Sequence, residues 1–396
     1  MAGRSVGRGR SLRERSLSMR HSSLRTLALL LTLTLLAQLF PLAALADAPS
    51  FSNLYDACDY LRTCMDARMT QIELFLDENA CARWETGEVR EALADTMSMA
   101  GRISVQVDRH EDRSADARIV VEYCDAVRMV DAYRSGDLSG LSAEEQQCLA
   151  MAVEATTQLR AMYSDALALE KAVYDLICRN VTYRTYADTD SAEFRRVITV
   201  PSAMLEGEGN CQAYARMFYL LGTLCGFKVG FLSGWYADHD KGQHIWNTIE
   251  LNGQLYMVDV TDGDFDNADE SAPQVQYRSF NIGWDRVPAD SWNWWPPACD
   301  DRIRNDTDPD LWYYNNQPGY GGCSTSLDAA ADACIAQARA GYVQWQGILL
   351  GQHADSVAFN TALQSAALRQ GVYANWVTWD WQTGEDTIFF VVFQSA

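Results

Sequence analysis

Lysine is almost absent: three occur in 396 residues, Lys171, Lys228 and Lys241, and Lys plus Arg total 32 against 53 Asp plus Glu. The net charge of −21 disfavours a sequence-independent grip on nucleic acid, which depends on cations neutralising phosphates. It suits a soluble surface that prefers cationic or neutral partners. No Cys-x-x-Cys pair occurs and the five His are scattered, so a closed zinc site has no spacing to build on, and no motif calls for a cofactor. Beyond the first 46 residues no run is apolar enough to span a bilayer. What is present is 48% hydrophobic residues, 12 Trp and 11 Cys. That composition folds, and the length allows two or three domains with cores of their own.

The N-terminal region reads as an export signal. An Arg-rich start leads into an apolar run from Leu27 to Leu36, continued to Ala44-Leu45-Ala46, a small-x-small cleavage site. A membrane anchor is the rival reading, but the run is shorter than the roughly 20 residues of a spanning helix and ends at Pro41. Cleavage after Ala46 and a secreted or extracytoplasmic location are expected. All 11 Cys then enter an oxidising compartment, where disulfides are expected, and their odd number leaves at least one thiol unpaired. Cys178 and Cys225 sit in apolar helical patterns and suit buried thiols.

Periodicity sets the organisation. Leu54 to Arg68 is predicted as a helix, Gln71 to Leu76 as a strand, Glu85 to Met99 as a second helix stopped by Gly101, then Ile103 to Asp108 and Ala117 to Tyr123 as strands. The C-terminal region repeats this order in helix 327–340, strand 343–350, helix 356–369 and strands 373–381 and 387–393. Asp56-Ala57 aligns with Asp328-Ala329 at an offset of 272. Two related small α/β modules, or convergent patterning, account for this equally. Between them Ser142 to Cys178 is mostly helical, and Tyr183 to Val200 is expected to be an irregular surface connection. Cys211 to Cys225 is a strongly periodic helix ended by Gly226, and three strands follow at 228–236, 243–251 and 254–260. Asn252-Gly253 marks a hairpin between the last two. The expected divisions are 1–46 signal, 47–140 N-terminal module, 141–300 core, and 301–396 linker and C-terminal module.

Gly207-Glu208-Gly209-Asn210-Cys211 places a thiol at a helix start. Unpaired N–H groups and the positive end of the helix dipole stabilise a thiolate there, and the N–H groups around Asn210 and Gln212 are candidates to receive an oxyanion. A two-residue turn at Asn252-Gly253 pairs residues whose numbers sum to 505, so His244 faces Thr261, Asp259 faces Trp246, and His244 and Asp259 become diagonal neighbours on one face. At roughly 7–8 Å such a pair can meet and orient the ring. Two unrelated polar residues of a half-exposed hairpin are the bland alternative. His239 is a rival base in the preceding loop.

Together these residues resemble the transglutaminase-like superfamily over about residues 170–264. The carrying motifs are Gly207-Glu-Gly-Asn-Cys211-Gln-Ala-Tyr214-Ala215, His244-Ile-Trp246-Asn247 and Tyr256-Met-Val258-Asp259-Val260-Thr261. The resemblance implies an α+β, papain-like core, a catalytic helix packed on antiparallel sheet, here flanked by the two modules. It implies a Cys-His-Asp triad at Cys211, His244 and Asp259, acting by acyl transfer or hydrolysis on a protein, peptide or cell-wall peptide. Relatives more often carry Trp where this chain has Asp262. Trp246, Trp292, Trp294 and Trp295 are candidates for a substrate cleft, with packing of a long loop as the alternative. Cys299 and Cys323 bracket that loop and are the pair expected to bridge it. Asp262, Asp264 and Asp266 lack the Gly of a calcium loop and read as an ordinary acidic turn. The competing function is a surface-binding protein that keeps the core only as a scaffold.

Overall fold

The computed structural model describes residues 48–85, 97–235, 243–264, 275–283, 311–315 and 322–394. The expected signal segment, His239, Trp292, Trp294, Trp295 and Cys299 lie outside the described residues. The N-terminal module runs β1 (Ser50–Phe51), α1 (Leu54–Asp66), β2 (Gln71–Leu76), α2 (Glu78–Glu85), β3 (Ala100–Arg109) and β4 (Ala115–Tyr123). Asn53 caps α1 by accepting from the Tyr55 amide, and Leu54, Ala57, Leu61 and Met65 form its buried stripe. The second helix differs from expectation. It begins at Glu78, residues 86–96 lie outside the described residues, and Met97–Met99 is a 3-10 turn feeding β3. Gly101 sits inside β3, at a register irregularity between Ala100 and Arg102, and stops no helix.

The central unit holds α3 (Asp125–Ser135), α4 (Ala143–Met162), α5 (Ala166–Asn180), β5 (Thr182–Tyr183), α6 (Ala192–Val197), β6 (Glu208–Gly209) and α7 (Cys211–Cys225). It continues with β7 (Lys228–Trp235), β8 (Gln243–Leu251), β9 (Gln254–Val258), α8 (Val260–Gly263) and β10 (Phe280–Ile282). The connection 183–200 is irregular and exposed over 184–190, as expected, but Ser191 then caps α6, and Val197 and Val200 are buried. The sheet order is β10-β9-β8-β7, antiparallel throughout. Helix α7 packs on β7 and β8 and is surrounded by α3, α4 and α5. It is therefore buried on every side, down to its one charge, Arg216, which pairs with buried Asp125.

The C-terminal module follows as β11 (Cys323–Ser324), α9 (Leu327–Arg339), β12 (Gln344–Leu349), α10 (Ser356–Gln370), β13 (Asn375–Thr383) and β14 (Asp386–Gln394). Its strand order β11-β12-β14-β13 reproduces β1-β2-β4-β3, parallel in the first pair and antiparallel in the rest. The first strand, helix and second strand superimpose at an offset of 273, not 272, because the buried face aligns Leu54 with Leu327 and Ala57 with Ala330.

Candidate active site

The site is assembled where the start of α7 meets the hairpin β8–β9. Upstream, a π-helical turn, Ser202–Glu206, ends at Gly207, whose φ of +71 reverses the chain into β6. Strand β6 pairs with β5, and Asn210 then caps α7, its side chain accepting from the Gln212 amide at 3.0 Å. Cys211 is thus the first helical residue, buried at 8% exposure, and its sulfur is a thiol. The Gln212 side chain accepts from Arg216 at 3.3 Å. Both oxyanion candidates therefore spend side-chain oxygens in shaping the helix start.

Strand β8 delivers His244, 2% exposed and stacked on the Trp246 indole with centroids 5.6 Å apart. Asn247, on the same strand, donates to the Ala215 and Gly230 carbonyls at 3.0 Å each, fastening the histidine strand to α7 and to β7. The hairpin turns through Asn252 and Gly253, both at positive φ, with Leu251 opposite Gln254 and Asn247 opposite Val258. That is the register expected from the sum of 505, but the ladder stops there. The pairing of His244 with Thr261 and of Trp246 with Asp259 does not form, because Asp259 leaves the sheet to cap α8.

The cap divides the carboxylate. Asp259 Oδ1 accepts from the amides of Thr261 and Asp262 at 3.0 and 3.1 Å, and Oδ2 meets His244 Nε2 at 2.7 Å. The Cys211 sulfur also lies close enough to the imidazole to favour its charged form. Burial alone lowers the imidazolium's stability, but the Asp259 carboxylate and the Cys211 sulfur outweigh it and push the His244 pKa up to about 9. The three residues singled out in the sequence are therefore brought together in one buried cluster.

Several side chains that sequence reasoning missed hold this arm. Tyr174 Oη lies 3.1 Å from the Asp259 and Gln276 carbonyls, and an added Cβ on Gly263 would meet that oxygen at 1.9 Å. Cys178, one turn further along α5, donates to the Val260 carbonyl at 3.5 Å, and burial pushes its thiol well up, which makes it unreactive. Tyr183 stands on β5 beside Tyr214, and burial followed by the charges of Cys211 and Asp259 pushes its phenol up to about 12. The acidic turn is not an ordinary exposed one. Asp262 is buried, accepts from Ser279 at 2.5 Å, and is pushed up by burial and by Asp259. Helical spacing of Glu170, Tyr174 and Cys178 was the available signal for this face of α5. Cys64, Cys124, Cys148, Cys225 and Cys334 are, like Cys178, buried thiols and not half-cystines.

No curated protein matches the chain. Among solved structures it is similar to one described as a TGase, at 10% identity and a TM-score of 0.27, covering 52% of this chain and 55% of that one. It is also similar to the periplasmic domain of TgpA from Pseudomonas aeruginosa, at 14% identity and a TM-score of 0.24, covering 40% and 62%. The chain thus spans less than two thirds of either structure. Residues 153–260 match the family described as the transglutaminase-like superfamily. That stretch runs from within α4 to the first residue of α8 and contains Cys211, His244 and Asp259, so the match to the transglutaminase-like superfamily falls on the central unit of this chain.

Proposed function

We propose that the chain is an exported cysteine enzyme that performs acyl transfer or hydrolysis on a carboxamide or peptide bond of a protein, a peptide or a cell-wall peptide. One observation carries the reading: a helix-start thiol, Cys211, and a carboxylate, Asp259 at 2.7 Å, both engage the same buried imidazole, His244. The Cys211 proton passes to His244, the sulfur attacks the carbonyl carbon, and the positive end of α7 stabilises the developing oxyanion. As the C–N bond breaks, His244 gives its proton to the departing amine. A ring that keeps its proton up to about pH 9 serves as that acid throughout the neutral range. Asp259 fixes the ring orientation and stabilises its charge. Water or a second amine then resolves the thioester, with His244 receiving the proton from it.

The test is mass spectrometry of a Gln- or amide-bearing peptide library, with and without an added amine, using Cys211→Ala as blank. Free-acid products identify a hydrolase and amine adducts an acyltransferase. No product from the wild type, with iodoacetamide labelling of Cys211 following an ordinary thiol profile in both wild type and His244→Ala, would leave a binding scaffold instead.

A further inference from the structure

We infer that Glu170 is folded in as a neutral carboxylic acid joined to Asn281 by a reciprocal pair of hydrogen bonds, and that this pair is a proton-dependent positioning device for the segment carrying Asp259. Glu170 is wholly buried on α5 and Asn281 is 1% exposed on β10. Asn281 Nδ2 donates to Glu170 Oε2 at 2.9 Å. The remaining acceptors of the two side chains, Glu170 Oε1 and Asn281 Oδ1, have no donor among the described residues. Ionised, Glu170 would leave both acceptors orphaned and a charge unpaired in the interior. One proton on Oε1 supplies the missing donor, and a carboxylic acid facing a primary amide is satisfied on both sides.

The titratable and charged groups of the packed elements are otherwise engaged. Lys171 and Asp175 on α5 bond each other and the Tyr277 hydroxyl, and Tyr174 serves the Asp259 and Gln276 carbonyls. Tyr314 is committed to Gln346, and Arg278 lies beside Asp262. Burial raises the Glu170 pKa, the Asn281 amide pulls part of it back, and it settles at about 8.

Asn281 is also where the backbone is strained. Its φ of +55 falls at the irregularity between Phe280 and Ile282, which pair with Val258 and Met257. Two residues earlier the Ser279 carbonyl accepts from the Asp259 amide at 2.9 Å. The acid–amide pair therefore pins the edge strand against which Asp259 is registered. Loss of its proton loosens that edge.

The regulatory consequence rests on reading Cys211, His244 and Asp259 as the reactive group, whereas the state of Glu170 does not, so the test reads stability and not turnover. Glu170→Gln keeps both hydrogen bonds without needing a proton. A folded pKa above the unfolded value gives stability that is full below about pH 4.5 and declines as pH rises towards about 8. The melting temperature of the full chain should therefore fall relative to that of Glu170→Gln across about pH 5 to about pH 9. In the same window hydrogen exchange of peptides covering 275–283 should become faster in the wild type than in the variant. A melting-temperature gap that does not change with pH overturns the proposal. Should the variant not fold, infrared spectra of the wild type decide: a carboxylic-acid carbonyl band that titrates away near about pH 8 is expected, and its absence at about pH 6.5 overturns it.

Discussion

The division of one carboxylate between a helix cap and a ring nitrogen makes Asp259 the most informative single position. Its charge is what outweighs burial at His244, so Asp259→Asn removes the cause of the raised pKa while leaving an oxygen for the cap. The alkaline limb of turnover should move from about pH 9 towards about 6.5 or below, and turnover at its optimum should fall on the order of 10²–10⁴-fold. A limb that stays near pH 9 in the variant would remove Asp259 from this role. The stability linkage has a definite sign. The folded His244 pKa lies above its unfolded value, so its contribution is complete below about pH 6.5 and is lost as pH rises through about 9. Gly263 gives a second, steric prediction. An Ala Cβ there would lie 1.9 Å from Tyr174 Oη, so Gly263→Ala should cost roughly 1–3 kcal/mol by denaturant titration and lower Cys211 labelling with it. An unchanged midpoint would mean that Tyr174 does not clamp the arm.

At the scale of elements, Asn210→Ala removes the cap that accepts from the Gln212 amide and should cost about 1 kcal/mol in chemical denaturation. Loss of stability with unchanged labelling of Cys211 would separate the cap from the orientation of the thiol. Helix 211–225 and strand 243–251 were legible to the residue because their ends carry local signals, Asn210 and Gly226 for one and the Asn252-Gly253 turn for the other. The pattern 254–260 misled because alternation continues through Asp259, while a side chain two residues before the Thr261 amide offered the backbone a cap and ended the strand at Val258. The convergence of His244 and Asp259 survived this error, since a cap one residue past the ladder still faces the neighbouring strand. Tyr174, Asn247 and Glu170 were not legible as a set: each acts on a backbone or side chain far away in sequence, and no local periodicity encodes such a partner.

Across the whole molecule the two modules share a topology but use it differently. In β12 and β14, Trp345, Leu349, Phe389 and Val391 face α9 and α10, whereas Ile348, Ile388 and Phe390 face the other way and join the core that runs through the central unit. In β4 the corresponding outward positions, Asp116, Arg118, Val120 and Glu122, are exposed, and the inward row Ala117, Ile119 and Val121 belongs to that same continuous core. The N-terminal module thus shares its interior with the site-bearing unit, while the C-terminal module owns a separate one and docks by its opposite face, helped by Gln346 donating to the Val275 carbonyl at 3.0 Å. Cooperativity should follow this partition of apolar contacts. Leu363→Ala opens the separate core and Leu61→Ala the continuous one, each at a cost of roughly 2–5 kcal/mol. Calorimetry of the full chain should show Leu363→Ala lowering one transition while the component that tracks exposure of the buried Cys178 thiol stays in place, and Leu61→Ala should lower that second component. Equal displacement of a single transition by both substitutions would mean that the three units melt as one and that the separate C-terminal core has no thermodynamic independence.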